Sequence, residues 1–287
     1  MAGSDKLKLP PWISKEKIVL KDLHKIKSSL RAKGLHTVCE EAMCPNRGEC
    51  FKKGTATFLL LGNICTRNCR FCSVTKGKPL APDLNEPKNI AEFVKEQGIK
   101  YAVLTMVNRD DLPDGGALHI KNTVEEIKMK NPDTKVEVLT GDFAGNFKAL
   151  DIVLESNINV FNHNMETVKR LYPVIRPKAD YSLSLKILKY ASTRQDILVK
   201  SGFMVGLGEK EGEIEELLND LKKHNTDIIT IGQYLRPSMK NIEVAKYYTP
   251  EEFDILRDKA LEIGFKYVFS SPFVRSSYMA ETVFKEI

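Results

Sequence analysis

The sequence predicts an α/β protein built as a partial or full (β/α) barrel, with an extension at each end of the barrel. Short apolar runs of strand length recur along the chain, and segments with helical periodicity separate them. Strand-then-helix alternation favours a parallel sheet with right-handed crossovers. Six or seven such units suit a barrel better than an open doubly wound sheet.

The strands are predicted from runs rich in apolar and β-branched residues, beginning with Thr-Ala-Thr-Phe-Leu-Leu-Leu. In chain order they are residues 55–61, 100–106, 135–139, 159–162, 197–205, 227–231 and 266–269. The helices are predicted from apolar residues spaced three and four positions apart. They are residues 90–97, 118–130, 147–156, 181–191, 214–224 and 250–263.

Three regions follow from this pattern. Residues 1–54 form a polar N-terminal extension with one amphipathic stretch near 21–31, residues 55–270 form the barrel, and residues 271–287 form a C-terminal segment. In barrels the chemistry lies where the strands end. The loops at 62–72, 107–116, 163–166, 206–209 and 233–238 are therefore where functional residues are expected.

Composition and charge exclude several classes of function. The chain has 287 residues, 44 basic against 38 acidic side chains, and a net charge of +6 that is spread along its length. Nucleic-acid binding usually needs a concentrated basic face, and a membrane span needs about 20 apolar residues. No nucleic-acid or membrane partner is therefore expected. The first residues lack a signal-peptide pattern, which predicts a cytoplasmic location.

All six cysteines lie in one stretch near the N-terminus: Cys39, Cys44, Cys50, Cys65, Cys69 and Cys72. Disulfide frameworks belong mainly to short secreted chains, so metal ligation in a reducing compartment is the favoured interpretation. The last three form the pattern C-x3-C-x2-C in the loop after the first strand. Three thiolates fit three corners of a [4Fe–4S] cluster and leave one iron open to a small molecule. A zinc knuckle or a redox loop remains an alternative.

The C-x3-C-x2-C spacing resembles that of the radical S-adenosylmethionine enzymes. The second pattern, C-x4-C-x5-C at Cys39, Cys44 and Cys50, adds a resemblance to the lipoyl synthase family. Further family-like stretches lie at 107–116, 162–168, 200–209, 230–238 and 274–278. The chain departs from the family pattern at Asn241 and Met279, where histidine is usual. The resemblance implies a barrel of the radical S-adenosylmethionine type.

The resemblance also implies two [4Fe–4S] clusters and S-adenosylmethionine as co-substrate. Cys65, Cys69 and Cys72 are expected to hold the radical-generating cluster. Cys39, Cys44, Cys50 and Ser277 are expected to hold an auxiliary cluster, supported by Arg275. From the residues alone, the Arg-Ser-Ser-Tyr stretch would pass for a polar tail.

Six residues are predicted to contact S-adenosylmethionine: Gly115, Gly116, Asn162, Glu166, Lys200 and Gly206. The resemblance implies that the glycine pair meets the amino group of the ligand, and Gly206 is expected in the adenosine pocket. Glu166 and Lys200 are expected at the ribose hydroxyls and the methionine carboxylate. An ordinary turn explains the glycines equally well, and a surface ion pair explains the two charged residues.

The function that the resemblance implies is insertion of two sulfur atoms at C6 and C8 of a protein-bound octanoyl group. Its partners would be an octanoylated lipoyl carrier protein, either a glycine cleavage H protein or a 2-oxoacid dehydrogenase E2 lipoyl domain. A low-potential electron donor such as ferredoxin or flavodoxin is also implied. Two alternatives stay open: a radical enzyme acting on a free small molecule, resembling biotin synthase, and a zinc-stabilised nucleic-acid-binding protein.

Overall fold

The structure is a computed structural model that describes residues 8–13, 28–41 and 55–277. Its main feature is a parallel sheet of seven strands, in which chain order and spatial order agree. A separate two-stranded pair, β2 with β3, lies in the loop after the first strand. The strands are β1 (Thr55–Leu60), β2 (Ile64–Cys65), β3 (Thr75–Lys76), β4 (Tyr101–Met106), β5 (Lys135–Leu139), β6 (Val160–Asn162), β7 (Leu198–Val205), β8 (Ile228–Gln233) and β9 (Tyr267–Ser271).

Helices connect the strands of the main sheet, as parallel pairing requires. They are α1 (Val38–Glu41), α2 (Glu86–Glu96), α3 (Ala117–Lys130), α4 (Phe147–Leu154), α5 (Tyr172–Ile175), α6 (Tyr181–Ala191), α7 (Glu211–Lys223) and α8 (Pro250–Ile263). Short 3₁₀ turns lie at Pro11–Ile13, Phe143–Gly145 and Lys169–Leu171. Residues 28–32 are also helical, and the rest of the predicted amphipathic stretch at 21–31 lies outside the described residues.

Local chemistry explains where several helices begin and end. The Thr249 hydroxyl accepts the Glu252 N–H and the Glu252 carboxylate accepts the Thr249 N–H, a capping box at the start of α8. Gly264 ends the same helix with a φ of 100°. The Asp180 carboxylate accepts the Leu183 N–H and caps α6. These signals fix the ends of the outer helices around the sheet.

The predicted elements are present, with shifts of a few residues. The largest shift is in α2, which begins at Glu86 rather than at residue 90. The first turn of α2 contains Pro87 near the start of the helix and a buried Glu86. This turn therefore lacks the apolar spacing from which the helix was predicted. Three short features were not predicted, because elements of this length carry no periodicity: the helices α1 and α5, and the pair β2 with β3.

The barrel is partial rather than closed. Among the described strands, β1 and β9 are the two edges of the sheet and do not pair with each other. Residues of β1, β4, β5, β7 and β8 nevertheless line one cavity of about 490 Å³. The sheet therefore curves around a space between its first and last strands. The expected site, at the carboxyl ends of the strands, lies around this cavity.

The described part of the N-terminal region packs directly against the barrel. Thr37 forms an antiparallel bridge with Phe58 of β1, and the Leu59 N–H donates to the His36 carbonyl at 2.9 Å. Leu30 and Leu35 belong to the hydrophobic core of the barrel. The division at residues 54 and 270 stays a prediction. Within the described ranges, no helix is long and apolar enough to span a membrane.

Candidate active site

The loop that carries Cys65, Cys69 and Cys72 begins with a strained turn. Leu61 has a φ of 69°, which a non-glycine residue rarely adopts, and Gly62 follows with a φ of 90°. The Leu61 N–H donates to the Glu86 carboxylate at 2.9 Å, and Nε2 of His119 contacts the same carboxylate oxygen at 2.6 Å. These buried side chains hold the backbone in the conformation that leads into the cysteine loop.

Backbone groups surround the three cysteines. The Sγ of Cys65 accepts N–H groups from Arg67 at 3.4 Å and from Asn108 at 3.3 Å. Nδ2 of Asn241 donates to the Cys72 carbonyl at 3.0 Å, so the amide that replaces the family's usual histidine braces this loop. Burial raises the pKa of the Cys69 thiol and raises the pKa of Cys72 to about 11. Binding to iron as thiolates would therefore release protons.

Arg67, inside the cysteine loop, is held by two carboxylates. Its guanidinium donates to Asp110 at 2.8 Å from Nη2 and to Asp142 at 2.6 Å from Nη1. Both partners lie in loops that follow strands, Asp110 after β4 and Asp142 after β5. Bidentate arginine–carboxylate pairs fix geometry strongly. The clamp therefore joins the cysteine loop to two neighbouring strand ends.

The predicted ligands from distant parts of the chain meet at the cavity. Its lining includes Cys65, Cys69 and Cys72, together with Glu166, Arg275 and Ser277. Val38, next to Cys39 in α1, lines the same cavity. Of the predicted auxiliary ligands, Cys44 and Cys50 lie outside the described residues, and for Cys39 only the backbone is described.

The C-terminal segment is anchored over the carboxyl end of β8. The Val274 carbonyl lies so close to Gly232 that any side chain at that position would clash with it. Nδ2 of Asn164 donates both to the Ser276 hydroxyl and to the Glu166 carboxylate, each at 3.0 Å. The Asn164 amide therefore links Glu166 to Ser276, the residue that precedes Ser277. Glu166 itself has a φ of 66°, and burial raises its pKa.

The glycine pair has structural reasons to be glycine. Gly115 and Gly116 have φ values of 61° and 90°, and Gly116 is the N-cap of α3. A side chain at Gly116 would clash with Leu61, and one at Gly115 would meet the Phe143 ring. Neither glycine lines the cavity. Their contact with the cofactor stays a prediction, and the packing shows why an ordinary turn also needs them.

Asn162 and Lys200 lie deeper, inside the barrel. Lys200 Nζ forms a buried ion pair with Glu137 at 3.0 Å, and Asn162 Nδ2 donates to the same carboxylate at 2.7 Å. The Tyr101 hydroxyl completes the cluster at 2.8 Å. Neither Asn162 nor Lys200 lines the cavity. Their assignment to the cofactor stays a prediction, and their contacts with Glu137 favour a structural role.

Gly206 follows β7 with a φ of 101°, and its N–H donates to the Glu209 carboxylate. A side chain there would clash with Gln233, whose amide bonds three backbone carbonyls. Gly206 is also outside the cavity lining, and its place in the adenosine pocket stays a prediction.

Sequence reasoning missed Arg176, which lines the cavity and is 7% exposed. Its Nη1 donates to the Asn164 carbonyl at 2.9 Å and to the Tyr172 hydroxyl at 2.9 Å, while Nε has no partner among the described residues. Desolvation alone would lower the pKa of Arg176, but nearby Tyr172 and Glu166 raise it, so the cation persists. A buried N–H without a partner suits a ligand group. The only signal in the sequence that could have drawn attention to Arg176 is its position before Pro177, between two helical segments.

The residues present fit a cluster better than a zinc ion. A Zn–S distance of about 2.3 Å would bring tetrahedral thiolates within about 4 Å of one another. In the described parts of the chain, no three His, Cys, Asp or Glu side chains are close enough to hold a metal ion. A cubic cluster binds each thiolate through a different iron and so spreads them apart. Arginines also outnumber acids in the lining, where Glu166 is the only described carboxylate, which suits an anionic cluster.

Comparison with known proteins decides the family. The radical S-adenosylmethionine superfamily model matches residues 59–221, and the model of the N-terminal domain of lipoyl synthase matches residues 1–44. Lipoyl synthase of Caldanaerobacter subterraneus is 52% identical over 273 residues, covering 95% of each chain. The chain belongs to the lipoyl synthase family. Lipoyl synthase of Tolumonas auensis is 49% identical over 285 residues, covering 96% of this chain and 87% of that protein.

Solved structures agree with the fold. Methylornithine synthase superposes with a TM-score of 0.56 at 14% identity, covering 93% of this chain and 88% of that one. The FeFe-hydrogenase maturase HydG from Carboxydothermus hydrogenoformans superposes with a TM-score of 0.58 at 14% identity, covering 94% of this chain and 83% of that one. At such identities the likeness concerns the fold alone. The predicted barrel of the radical S-adenosylmethionine type is confirmed.

Family membership also confirms the class of chemistry. The chain is a sulfur-inserting radical enzyme that uses [4Fe–4S] clusters and S-adenosylmethionine. The zinc-stabilised nucleic-acid-binding alternative is wrong. The alternative that resembles biotin synthase gains no support, because the relatives that share about half of their residues with this chain are lipoyl synthases.

Proposed function

We propose that this chain forms the lipoyl group by inserting sulfur at C6 and C8 of an octanoyl chain, with its two cysteine triads performing separate tasks. One observation supports this separation of tasks. Ser277 lines the same cavity as the triad Cys65, Cys69 and Cys72, although about 200 residues separate Ser277 from the triad in sequence. A site that generates a radical and a site that supplies sulfur must both reach the same acyl carbons. One shared cavity meets that requirement.

Cys65, Cys69 and Cys72 would hold the first cluster, and Cys39, Cys44, Cys50 and Ser277 the auxiliary cluster. When bound, the first cluster would supply the electron for cleavage of S-adenosylmethionine, and the second would supply sulfide. A serine oxygen should be displaced more readily than a thiolate, which suits a cluster that gives up sulfur. Arg275, whose Nη1 donates to the Val274 and Pro272 carbonyls, would hold the Ser277 backbone in place.

The chain's own polar residues would bind S-adenosylmethionine between these sites. Arg176, which lines the cavity, has a buried N–H that meets no acceptor in the described part of the chain, and this suits the carboxylate of the ligand. Glu166 is held by Asn164 and faces the same space, which suits the ribose hydroxyls. Five other residues remain candidates for contact with S-adenosylmethionine, although they lie outside the cavity lining: Gly115, Gly116, Asn162, Lys200 and Gly206.

The remaining lining is largely apolar and suits the acyl chain. Four apolar side chains line the same cavity as the polar groups: Met106, Leu139, Phe203 and Met204. Unactivated C–H bonds offer no acidic proton, so these side chains would act by position and by exclusion of water. Methionine adapts its shape readily, which suits a flexible alkyl substrate.

The substrate would be an octanoylated lipoyl carrier protein, either a glycine cleavage H protein or an E2 lipoyl domain. The electron would come from a low-potential donor such as ferredoxin or flavodoxin. A cytoplasmic location suits the oxygen-sensitive clusters. The proposed reaction requires neither a nucleic acid nor a membrane.

The experiment is anaerobic turnover of the Ser277→Ala variant with octanoylated carrier and S-adenosylmethionine. Mass spectrometry of the modified lysine measures sulfur insertion, and chromatography measures 5′-deoxyadenosine. We expect sulfur insertion to fall much further than 5′-deoxyadenosine formation. Ser270→Ala is the control, because that hydroxyl bonds the Phe253 carbonyl at 2.7 Å and is outside the cavity lining. Equal loss of both products would contradict the role of Ser277.

A further inference from the structure

Three segments beside the cavity carry basic side chains and no acidic ones. They are residues 66–76, 172–178 and 234–242, which consist of loops together with β3 and α5 and are called the basic rim below. The basic rim holds seven of the chain's 44 basic residues and none of its 38 acidic residues. Each segment contributes to the cavity lining, for example through Cys69, Arg176 and Tyr234. The exposed side chains of the same segments therefore lie close in sequence to residues that line the cavity.

The three segments form one continuous surface. The Arg70 N–H donates to the Ile175 carbonyl at 2.9 Å, and the Arg70 carbonyl accepts the Ile242 N–H at 3.2 Å. Arg70 therefore lies between the other two segments. Lys178 Nζ donates to the Thr66 carbonyl at 3.0 Å and adds a second link between neighbouring segments.

Much of the charge on the basic rim has no counter-ion among the described residues. Arg67 is paired with Asp110 and Asp142, and Arg236 is paired with Glu243. Arg70, Lys178 and Lys240 are exposed, and none of them forms an ion pair within the described ranges. Uncompensated cations on one surface produce a positive potential that attracts an acidic partner.

Apolar side chains stand among these cations. Met239 is 68% exposed beside Lys240, and Val174 is 45% exposed in the short helix α5, whose Ile175 carbonyl accepts the Arg70 N–H. Apolar anchors within a charged border are typical of protein–protein interfaces, in which methionine and arginine are enriched. The composition therefore favours a protein partner over a small anion.

We propose that the basic rim docks the carrier domain through an acidic face that surrounds its octanoyl-lysine. This inference rests on the proposed function. The octanoyl chain is attached to a protein, so a chain that enters the cavity between these segments brings the carrier surface against them. Val174 and Met239 would contact apolar groups beside the modified lysine, and Arg70, Lys178 and Lys240 would face carboxylates. Charges of this kind mainly raise the association rate and select the partner.

The experiment compares wild-type holoenzyme with the double variant Lys178→Glu and Lys240→Glu. KM and kcat are measured anaerobically with octanoylated carrier, and again with a short octanoyl-lysine peptide. We expect the carrier KM to rise about tenfold at low ionic strength, with kcat and the peptide reaction unchanged. The difference should shrink with added salt, because the Debye length falls from about 10 Å at 0.1 M to about 3 Å at 1 M.

Lys186→Glu is the matched control, because Lys186 is an exposed lysine in the middle of α6, outside the three segments. This control should leave the carrier KM unchanged. An unchanged carrier KM in the double variant, with normal wild-type turnover, would overturn the docking proposal alone. The docking proposal would also be overturned if the double variant lost affinity for a DNA duplex while its carrier KM stayed unaltered. Absence of lipoyl product from wild-type enzyme with either substrate would instead refute the proposed function.

Discussion

Lys200 is the residue for which the sequence prediction and the structural contacts diverge most, and replacing it with methionine separates the two. If Lys200 binds S-adenosylmethionine, the Lys200→Met variant should fold normally and show a raised KM for that ligand. If Lys200 is the counter-ion of Glu137, the variant leaves a carboxylate without its cation inside the barrel. The structure favours the second outcome, since Lys200 is 2% exposed and Glu137 is fully buried.

The size of the effect follows from these contacts. Removing one partner of a buried ion pair costs about 3–5 kcal/mol. Glu137 would keep two hydrogen bonds, from Asn162 at 2.7 Å and from the Tyr101 hydroxyl at 2.8 Å, so we expect the lower end of that range. Glu137→Gln combined with Lys200→Met removes both charges and should recover most of the lost free energy of unfolding.

Urea unfolding under anaerobic conditions, followed by far-ultraviolet circular dichroism, measures the free energy for wild type, both single variants and the double variant. Titration with S-adenosylmethionine gives the affinity of the same samples. Lys186→Met controls for the loss of an exposed lysine. The structural role is refuted if Lys200→Met unfolds like wild type while its affinity for S-adenosylmethionine drops.

Three further predictions concern the surroundings of the cavity. Burial lowers the pKa of His163 from 6.5 to about 4. The free energy of unfolding should therefore fall by about 1.4 kcal/mol per pH unit as the pH drops from about 6.5 towards 4. Urea unfolding of His163→Gln should show a smaller dependence of this free energy on pH. Asn164→Ala removes the bond to Ser276, worth about 1 kcal/mol, so limited proteolysis of the C-terminal segment should be several-fold faster. Gly116→Ala forces a side chain against Leu61 at a φ of 90°, and reconstituted protein should retain less iron in a colorimetric assay than Gly212→Ala, where the space is open.

The fold was predictable because its signals are local. Each strand of the sheet is an apolar run, and each long helix has clear apolar spacing, so the structure confirms the order of elements. Closure was not predictable, because it depends on whether the edges β1 and β9 pair, and edge pairing leaves no mark in a single strand. The shift in α2 has a different origin, because a buried Glu86 does not look like a core residue in sequence.

The candidate site was predictable only in part. Cysteine spacing marks Cys65, Cys69 and Cys72, because thiolates on one loop need a fixed separation to share a cluster. Ser277 came from family resemblance, since a serine in a polar tail carries no chemical signal of its own. Arg176 was missed because its cation becomes informative only once the structure shows that it is buried and that its Nε–H has no acceptor within the described ranges.

The central claim is that one cluster is consumed. Tracing the origin of the inserted sulfur tests this claim most directly. The enzyme is reconstituted with isotopically labelled sulfide, freed of excess sulfide, and given a single anaerobic turnover on octanoylated carrier. Mass spectrometry of the modified lysine should find the label at both new carbon–sulfur bonds. A lipoyl product that contains only unlabelled sulfur would contradict the consumption of the cluster.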